Sequence, residues 1–210
     1  MVRILLVDDH AVVREGIKRI FDERPGEALF GEASSTQEAL KLIQERIWDV
    51  VVLDISLGGT NGLEILKEIK KIHPRLPVLI LSMHSEELYA RRAFKEGASG
   101  YITKGSSRME IVNAINKVIM GRKYVSPVFA EKLVTDIERG IEGAPHAILS
   151  DREFEVMRLI GSGKTVTEIA DLLSLSDRTI STYRARILEK MKMKTNAELI
   201  RYVIENKLIN

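Results

Sequence analysis

The first 120 residues alternate short apolar runs with longer amphipathic stretches, and this alternation limits the fold more than any other feature. Two of the runs, VVVL at 50–53 and VLIL at 78–81, are apolar at every position. Strands that are buried on both faces have this pattern, and both faces are buried when helices cover a parallel sheet. Strands that alternate with helices therefore predict a parallel, doubly wound architecture.

We predict a flavodoxin-like α/β domain with a five-stranded parallel sheet over residues 1–120. The predicted strands are ILLV (4–7), ALFGEA (28–33), VVVL (50–53), PVLIL (77–81) and SGYIT (99–103). The predicted helices cover 11–22, 36–46, 62–72, 86–96 and 106–119. Ligands of such sheets bind beyond the carboxyl ends of the strands, so polar residues at those ends are the first candidates for a site.

The remaining residues contain no further strand-like run. Residues 121–148 are interrupted by Gly and Pro and hold one helical stretch, VFAEKLVTDIE, so we interpret them as a linker with one helix. Residues 149–210 have four helical patterns and predict a second, all-α domain with four helices. These patterns cover residues 151–160, 166–173, 177–191 and 196–206.

The length of 210 residues fits two domains of ordinary size. The absence of Cys excludes disulfides, zinc–thiolate sites and Cys nucleophiles. The N-terminus reaches Asp8 after a short apolar run, which is unlike a secretory signal peptide. No apolar run approaches the ~20 residues that span a bilayer. We therefore expect a cytoplasmic protein with no membrane contact.

Residues 161–165 read GSGKT, the end of the phosphate-binding loop of many nucleotide hydrolases. The full motif needs a Gly five residues before its second Gly, and counting back from Gly163 gives Arg158. That loop also follows a strand, whereas EFEVMRLI, which precedes it here, has a helical pattern. Thr165 and Glu168 instead have the spacing of a capping box, so we interpret the pentapeptide as a turn between helices.

Acidic residues follow two of the predicted strands. Asp8 and Asp9 follow the first strand and Asp54 follows the third, while Ser82 and Lys104 follow the fourth and fifth. In a parallel sheet these ends share one edge, where three carboxylates would raise each other's pKa unless a cation neutralises them. Oxygen ligands suit Mg²⁺. A metal, a carboxylate nucleophile and a lysine are the components of phosphoryl transfer to an aspartate.

The helical patterns near residue 177 predict a second kind of site. The helix TVTEIADLL, the turn SLS and a helix that starts near Asp177 match a helix-turn-helix. Ile180 and Ile187 fall on the side of this last helix that would face the core. The opposite side is small and polar near its N-terminal end, which suits insertion into a DNA groove. The residues of that outer side are Arg178, Ser181, Thr182, Ala185 and Glu189.

Basic charge is concentrated in the same place. Residues 178–194 contain six Lys or Arg and one acidic residue, whereas residues 1–120 contain 17 Lys or Arg and 17 Asp or Glu. Local positive charge on one helix favours contact with nucleic-acid phosphates. The alternative is a solvated helix in an ordinary bundle.

Both halves of the chain resemble one known family. The segments ILLVDDH, VVLDISLGGTNGLE, LILSMHS and GASGYITK are similar to a bacterial response-regulator receiver domain over nearly its whole length. Residues 149–210 resemble the LuxR-type helix-turn-helix. Together the halves resemble a NarL/FixJ-type two-component response regulator, which implies a DNA-binding transcriptional regulator rather than an enzyme.

The receiver resemblance implies roles for single residues. Asp54 would accept a phosphoryl group from a sensor histidine kinase. The implied ligands of Mg²⁺ are Asp8, Asp9, Asp54 and the backbone carbonyl of Ser56. The implied switch residues are Ser82, Tyr101 and Lys104. The sequence departs from the family at Gly58, where a Pro is usual, and Gly59 follows it, which loosens this loop.

The helix-turn-helix resemblance implies contacts with double-stranded DNA. Base-edge contacts would come from Arg178, Ser181, Thr182 and Ala185. Phosphate contacts would come from Lys164, Arg184, Arg186 and Lys190. A homodimer on two half-sites is expected, because one short helix reads few bases. RNA polymerase is a further candidate partner.

Two other functions stay open from the residues alone. A metal-dependent phosphohydrolase for small molecules would use the same Asp and Mg²⁺ chemistry. Such enzymes commonly place two Asp residues two positions apart, whereas Asp8 and Asp9 are adjacent. The other alternative is a DNA-binding scaffold that works without phosphorylation and uses its first domain only for pairing. The presence of every phosphoryl-site residue counts against it.

Overall fold

The computed structural model describes residues 1–21, 28–57, 60–138 and 144–209. These residues form two compact units, Met1–Val134 and Thr135–Asn210. The division falls within the segment that the sequence predicts as a linker. Among the helices of the described residues, none has both the length and the apolar character needed to cross a bilayer.

The first unit is built on a parallel sheet, as the apolar runs predict. Its strands in chain order are β1 (Val2–Val7), β2 (Ala28–Ala33), β3 (Val50–Asp54), β4 (Ser56–Leu57), β5 (Thr60–Asn61), β6 (Val78–Ser82) and β7 (Gly100–Thr103). Five of them form the sheet in the order β2-β1-β3-β6-β7, and all of its pairs are parallel. The five-stranded prediction is therefore confirmed, while the short antiparallel hairpin of β4 and β5 was not predicted.

In the described part of the first unit, four helices connect the strands, and two more follow the last strand. They are α1 (Ala11–Phe21), α2 (Thr36–Glu45), α3 (Gly62–Ile72), α4 (Glu86–Lys95), α5 (Arg108–Ile119) and α6 (Pro127–Glu138). Four of them follow a residue whose side chain accepts a backbone N–H of the first turn, namely Ser35, Asn61, Ser107 and Ser126. Such caps set where a helix starts. The predicted end of the first helix, at residue 22, lies outside the described residues.

The core of the first unit covers both faces of the sheet. On one face, alternate strand residues pack against α1, α5 and Tyr124. The helices α2, α3 and α4 lie against the other face. Every residue of β3 and β6 is consequently buried. Full burial of one Val, Leu or Ile side chain stabilises a fold by roughly 1.5–3 kcal/mol, so these two strands hold the sheet together.

The register of the central strands determines where the candidate site lies. Leu6 is paired with Val52 and Val7 with Leu53, so β1 and β3 end side by side. The strand order reverses at this pair, because β2 lies beyond β1 and β6 lies beyond β3. A crevice outside such a reversal is where ligands of doubly wound sheets bind.

The second unit is helical. It contains a 3₁₀ turn (Pro145–Ile148) and the helices α7 (Asp151–Gly161), α8 (Val166–Leu173), α9 (Asp177–Lys190) and α10 (Asn196–Glu205). Their apolar sides form one core, whose fully buried members include Phe154, Met157, Ile169, Ile180, Ile187, Leu199 and Val203. The four predicted helices are confirmed within one or two residues at each end.

The GSGKT segment forms the turn between α7 and α8. Gly163 has a φ of 85°, in the left-handed region that favours Gly. Its N–H donates to the carbonyl of Ile160 at 3.0 Å, which is a helix-ending bond. Thr165 and Glu168 form a capping box at the start of α8. The interpretation as a turn between helices is confirmed.

Gly161, the last residue of α7, packs against α10, and the Gly161→Ala substitution tests this packing. A Cβ at this position would clash with the side chain of Val203 in α10. Overpacking of a core costs about 1–3 kcal/mol, so the free energy of unfolding of the second unit should fall by about that amount. Chemical denaturation followed by circular dichroism measures it.

The matched control is Gly16→Ala in α1. A Cβ there meets no described atom within 4 Å, and the position is helical. This control should be neutral or stabilise its unit by about 0.5–1 kcal/mol, because Ala favours a helix more than Gly does. Equal effects of the two substitutions would contradict the packing account.

Candidate functional site

Acidic side chains meet at the carboxyl ends of β1 and β3. Asp8 and Asp54 are each 3% exposed, and Asp9 is more exposed at the rim. One ligand atom from each of these carboxylates and a ring nitrogen of His10 lie within 4.8 Å of one another. The structure thus brings together the three carboxylates that the sequence predicts to converge.

Lys104 lies between the two buried carboxylates. Its Nζ is 2.8 Å from Asp54 Oδ2 and 2.7 Å from Asp8 Oδ2. Its backbone N–H donates to the carbonyl of Ser82 at 2.7 Å, which holds the start of the lysine chain against the end of β6. Burial lowers the pKa of Lys104, but the contacts with Asp54 and Asp8 outweigh burial and leave it raised. The ammonium is therefore charged.

A single lysine does not neutralise three carboxylates. Burial raises the pKa of Asp54, and the charge of Asp8 raises it further, although the hydrogen bond from Lys104 opposes both. The Asp8 Oδ2 atom accepts no aligned hydrogen bond from the described residues despite its ion pair with Lys104. Three carboxylates that share one ammonium fit a divalent cation that prefers oxygen ligands, such as Mg²⁺.

The predicted metal ligands are close to one another in this arrangement. Asp8, Asp9 and Asp54 supply the carboxylates, and the N–H of Ser56 donates to Asp54 Oδ1 at 3.2 Å, so the backbone at Ser56 lies beside the pocket. Gly58, which stands where a Pro is usual, and Gly59 lie outside the described residues.

Arg14 holds the loop that carries the paired acids, a contact that the sequence did not predict. Its Nη1 donates to the carbonyl of Asp8 at 2.6 Å, and its Nε donates to Glu32 of β2 at 2.9 Å. The backbone N–H of His10 also donates to Asp8 Oδ1, at 2.8 Å. These bonds fix the turn after β1, because the carbonyl and the carboxylate of Asp8 each accept a hydrogen bond. The sequence shows only a basic residue, Arg14, near the start of α1, which does not indicate its partner.

The predicted switch residues converge on one loop. Ser82 and Tyr101 are fully buried. The hydroxyl of Ser82 accepts the N–H of His84 at 3.0 Å, and the hydroxyl of Tyr101 donates to the carbonyl of His84 at 2.9 Å. Tyr101 therefore lies inward, and both side chains hold the segment between β6 and α4. A rotation of the Ser82 hydroxyl would therefore shift the segment that leads into α4.

In the second unit, α8 and α9 form the predicted helix-turn-helix. Ser174 ends α8 with a φ of 52°, and Ser176 caps α9 by accepting the N–H of Thr179. The hydroxyl of Thr167 donates to Asp177 at 2.8 Å, which ties the two helices together at the turn. The angle between α8 and α9 is thereby fixed by local bonds as well as by the core.

Most of the predicted DNA-contact residues are exposed. The exposed ones are Lys164, Arg178, Ser181, Thr182, Ala185, Arg186 and Lys190. A surface depression runs beside the N-terminal half of α9. It is lined by Ser176, Arg178, Thr179, Thr182, Tyr183 and Arg186. This surface is polar, carries two guanidinium groups, and is free of large apolar side chains other than the Tyr.

Two of the predicted phosphate contacts differ from the others. Lys190 Nζ donates to the buried carboxylate of Glu153 at 2.7 Å. Burial opposes the ionised form of Glu153, but bonds from Lys190 and Ser150 outweigh it and lower the pKa of this carboxyl. The Nε of Arg184 is buried and has no hydrogen-bond partner among the described residues. Lys190 therefore stabilises the unit itself, and part of Arg184 faces inward.

Family models match both halves of the chain. One, described as the response regulator receiver domain, matches residues 4–116. Another, described as bacterial regulatory proteins of the luxR family, matches residues 147–203. The two matches cover the unit with the acidic pocket and the unit with the helix-turn-helix.

Curated relatives match over the full length. The response regulator UvrY of Escherichia coli strain K12 is 35% identical over 211 residues, which cover 100% of this chain and 97% of UvrY. The response regulator GacA of Pseudomonas aeruginosa is 33% identical over 211 residues, covering 100% of this chain and 99% of GacA.

Solved structures agree with these relatives. A LuxR-family two-component response regulator from Aurantimonas sp. SI85-9A1 is 41% identical, with a TM-score of 0.60, over 67% of this chain and 98% of that one. RcsB of Salmonella typhimurium has a TM-score of 0.70 at 23% identity, over 100% of this chain and 98% of that one, and shows the likeness of fold alone. The chain therefore belongs to the NarL/FixJ-type two-component response regulators, which join a receiver domain to a LuxR-type DNA-binding domain.

Proposed function

We propose that this regulator is switched by a phosphoryl group on Asp54. The observation that supports the proposal is the ammonium of Lys104, which lies 2.8 Å from Asp54 and 2.7 Å from Asp8. A carboxylate oxygen of Asp54 attacks the phosphorus of a phosphohistidine on a sensor histidine kinase. The new P–O bond forms as the P–N bond breaks, and the imidazole leaves with the electron pair.

The residues around Asp54 have separate tasks in this step. Lys104 pairs with the phosphoryl oxygens and holds the acyl phosphate close to the sheet. Ser82 turns its hydroxyl from the amide of His84 toward a phosphoryl oxygen. Tyr101 stays inward and keeps its hydrogen bond to the carbonyl of His84. The proposed change is therefore a shift of the loop before α4.

Mg²⁺ is the proposed cofactor of the acidic pocket. When bound, it supplies positive charge against the oxygens of the transferred group. Its proposed ligands are Asp8, Asp9, Asp54 and the backbone carbonyl of Ser56. The carboxylates also position Lys104, so that the ammonium faces the incoming group. Water later hydrolyses the acyl phosphate and restores Asp54. In this proposal the receiver removes only the phosphoryl group that it carries itself.

The second unit is proposed to bind double-stranded DNA through α9. The supporting observation is the exposed polar side of α9, which Arg178 and Arg186 make positive. One likeness in support is a complex of RcsB with DNA, at 22% identity and a TM-score of 0.59. We place Arg178, Ser181, Thr182 and Ala185 at base edges. Phosphate contacts are assigned to Lys164, Arg184, Arg186 and Lys190.

The proposed assembly and location follow from DNA binding. A homodimer would place two copies of α9 on two half-sites of one operator. RNA polymerase is a proposed further partner of the bound dimer. The proposed location is the bacterial cytoplasm, where the DNA is. We propose 1–120 as the receiver, 121–148 as the linker and 149–210 as the DNA-binding domain.

Mg²⁺ should stabilise the receiver through the acidic pocket. At a Mg²⁺ concentration of 100 times Kd, the free energy of unfolding should rise by about 2.7 kcal/mol. Differential scanning calorimetry of the wild type and of Asp8→Asn, with and without Mg²⁺, measures this. The pKa of Asp54 is raised in the folded receiver, so the ionised carboxylate lowers the free energy of unfolding at neutral pH. Asp54→Asn should therefore stabilise the metal-free receiver at neutral pH. This gain should disappear in acid, where Asp54 is protonated. An equal response of wild type and Asp8→Asn to Mg²⁺ would place the cation elsewhere.

Phosphorylation should change DNA affinity. Duplexes are first selected from a random library with protein that carries beryllofluoride and Mg²⁺, and Kd is then measured with and without acetyl phosphate. Coupling between sites is typically 5–150-fold, so we expect a change of about tenfold in wild type. Asp54→Asn should show no change in affinity and should take no label from the donor that hydroxylamine or alkali removes. Equal affinity in both states of the wild type would reject the switch.

The selected duplexes also separate base contacts from phosphate contacts. Arg178→Ala should weaken binding to the best site by about 1–3 kcal/mol and relax the preference at one or two base pairs. Lys164→Ala should weaken all duplexes alike and lower the salt slope by about one. Fluorescence anisotropy over a salt series measures both. If Arg178→Ala weakened binding to all duplexes equally, Arg178 would contact a phosphate and not a base.

A further inference from the structure

The linker after α5 is held against the edge strand that carries Tyr101. The N–H of Tyr101 donates to the carbonyl of Tyr124 at 3.1 Å, and the N–H of Tyr124 donates to the carbonyl of Ser99 at 3.0 Å. These bonds make a parallel bridge between Gly100 and Tyr124. The Tyr124 side chain is buried under α5. The start of the linker is thus part of the receiver sheet.

The next linker residues are bound by α4. The N–H of Ser126 donates to Glu86 Oε1 at 3.0 Å, and the Ser126 hydroxyl donates to Glu86 Oε2. Glu86 is the first residue of α4, and Ser126 directly precedes α6. The hydroxyl of Ser126 also accepts the N–H of Phe129 at 3.2 Å, so it caps α6. We call the contact of the Glu86 carboxylate with the Ser126 N–H and hydroxyl the clasp.

The clasp closes a ring of contacts that contains both switch residues. Tyr101 holds the linker through its backbone and holds the carbonyl of His84 through its hydroxyl. Ser82 holds the N–H of His84. Two residues later the chain reaches Glu86, which returns to the linker at Ser126. Each step is a hydrogen bond or a few covalent bonds, so a shift of the loop at His84 changes the geometry of the clasp.

From this ring we propose that Glu86 is a positioning residue, which couples the state of the phosphoryl pocket to the N-terminus of the linker helix α6. The proposal rests on the proposed function, since it needs a ligand at Asp54 that draws Ser82 away from His84. The carboxylate is suited to the task because charge-assisted bonds are about twice as strong as neutral ones and depend on geometry. α6 continues to Glu138, past the end of the first unit, and so carries the change toward the second unit's sequence.

Reciprocity provides a test that needs no DNA. If pocket ligation alters the clasp, then loss of the clasp must alter ligand affinity by the same factor. The probe is beryllofluoride, a phosphoryl mimic, with Mg²⁺ on the full-length chain. We expect Glu86→Ala and Ser126→Ala each to change its dissociation constant by at least about fivefold. The double variant should change it no further than Glu86→Ala does, because Glu86→Ala already removes both bonds of the clasp, whereas Ser126→Ala keeps the bond from the backbone N–H.

Glu87→Ala is the matched control. It removes the same charge from the next position of α4, and its partner Lys132 also belongs to α6, at 2.8 Å. Both side chains of that pair are about half exposed, so its contribution is small. We expect its beryllofluoride affinity within twofold of wild type. Thermal unfolding of each variant checks that the receiver is folded, and hydrogen exchange at Ser126, Phe129 and Ala130 should respond to beryllofluoride in wild type and not in Glu86→Ala.

The outcomes separate the two proposals. Wild type that binds no beryllofluoride would overturn the proposed function. Wild type that binds it with the same affinity as Glu86→Ala and Ser126→Ala, all being folded, would overturn the coupling alone. A change in Glu87→Ala equal to that in Glu86→Ala would also overturn it, because general charge at the start of α4 would then be the cause.

Discussion

The ion pairs of Lys104 with Asp8 and Asp54 are the interaction on which the rest of the receiver depends. They hold the ends of β1, β3 and β7 at one point although β7 lies two strands from β3. They also leave the pocket negative, since one ammonium faces three carboxylates, so the site is ready for a cation and for a group that brings its own oxygens. The same atoms therefore position the strand ends and create the chemistry of the site.

The parallel sheet and the meeting of acidic residues at its edge could be predicted from sequence, because fully buried parallel strands have an unusual pattern. VVVL and VLIL are apolar without alternation, and each ends at a polar residue, Asp54 or Ser82. Parallel topology then brings the strand ends to one edge, and the convergence of Asp8 with Asp54 follows without knowledge of distances. The helix caps at Thr165 and Ser176 were equally readable, because a cap is local.

The contacts that escaped prediction are distant in sequence or chemically ordinary. Glu86 and Ser126 are 40 residues apart and each looks like a helix-start residue. Lys190 has a charge that suits DNA, yet Nζ binds Glu153, 37 residues away. The hairpin of β4 and β5 has two residues in each strand, too few to make a period. Pairings of this kind are decided by packing, which periodicity does not encode.

The segment around Tyr124 has a consequence for self-association. β7 is the last strand of the sheet, and such a strand offers unpaired amides that another chain can extend. Here the amide of Tyr101 and the carbonyl of Ser99 are already occupied by Tyr124. A foreign strand would have to displace a buried aromatic ring before it could add to the sheet. This covered border opposes the addition of a second chain along β7 and leaves β2 as the other edge strand of the sheet.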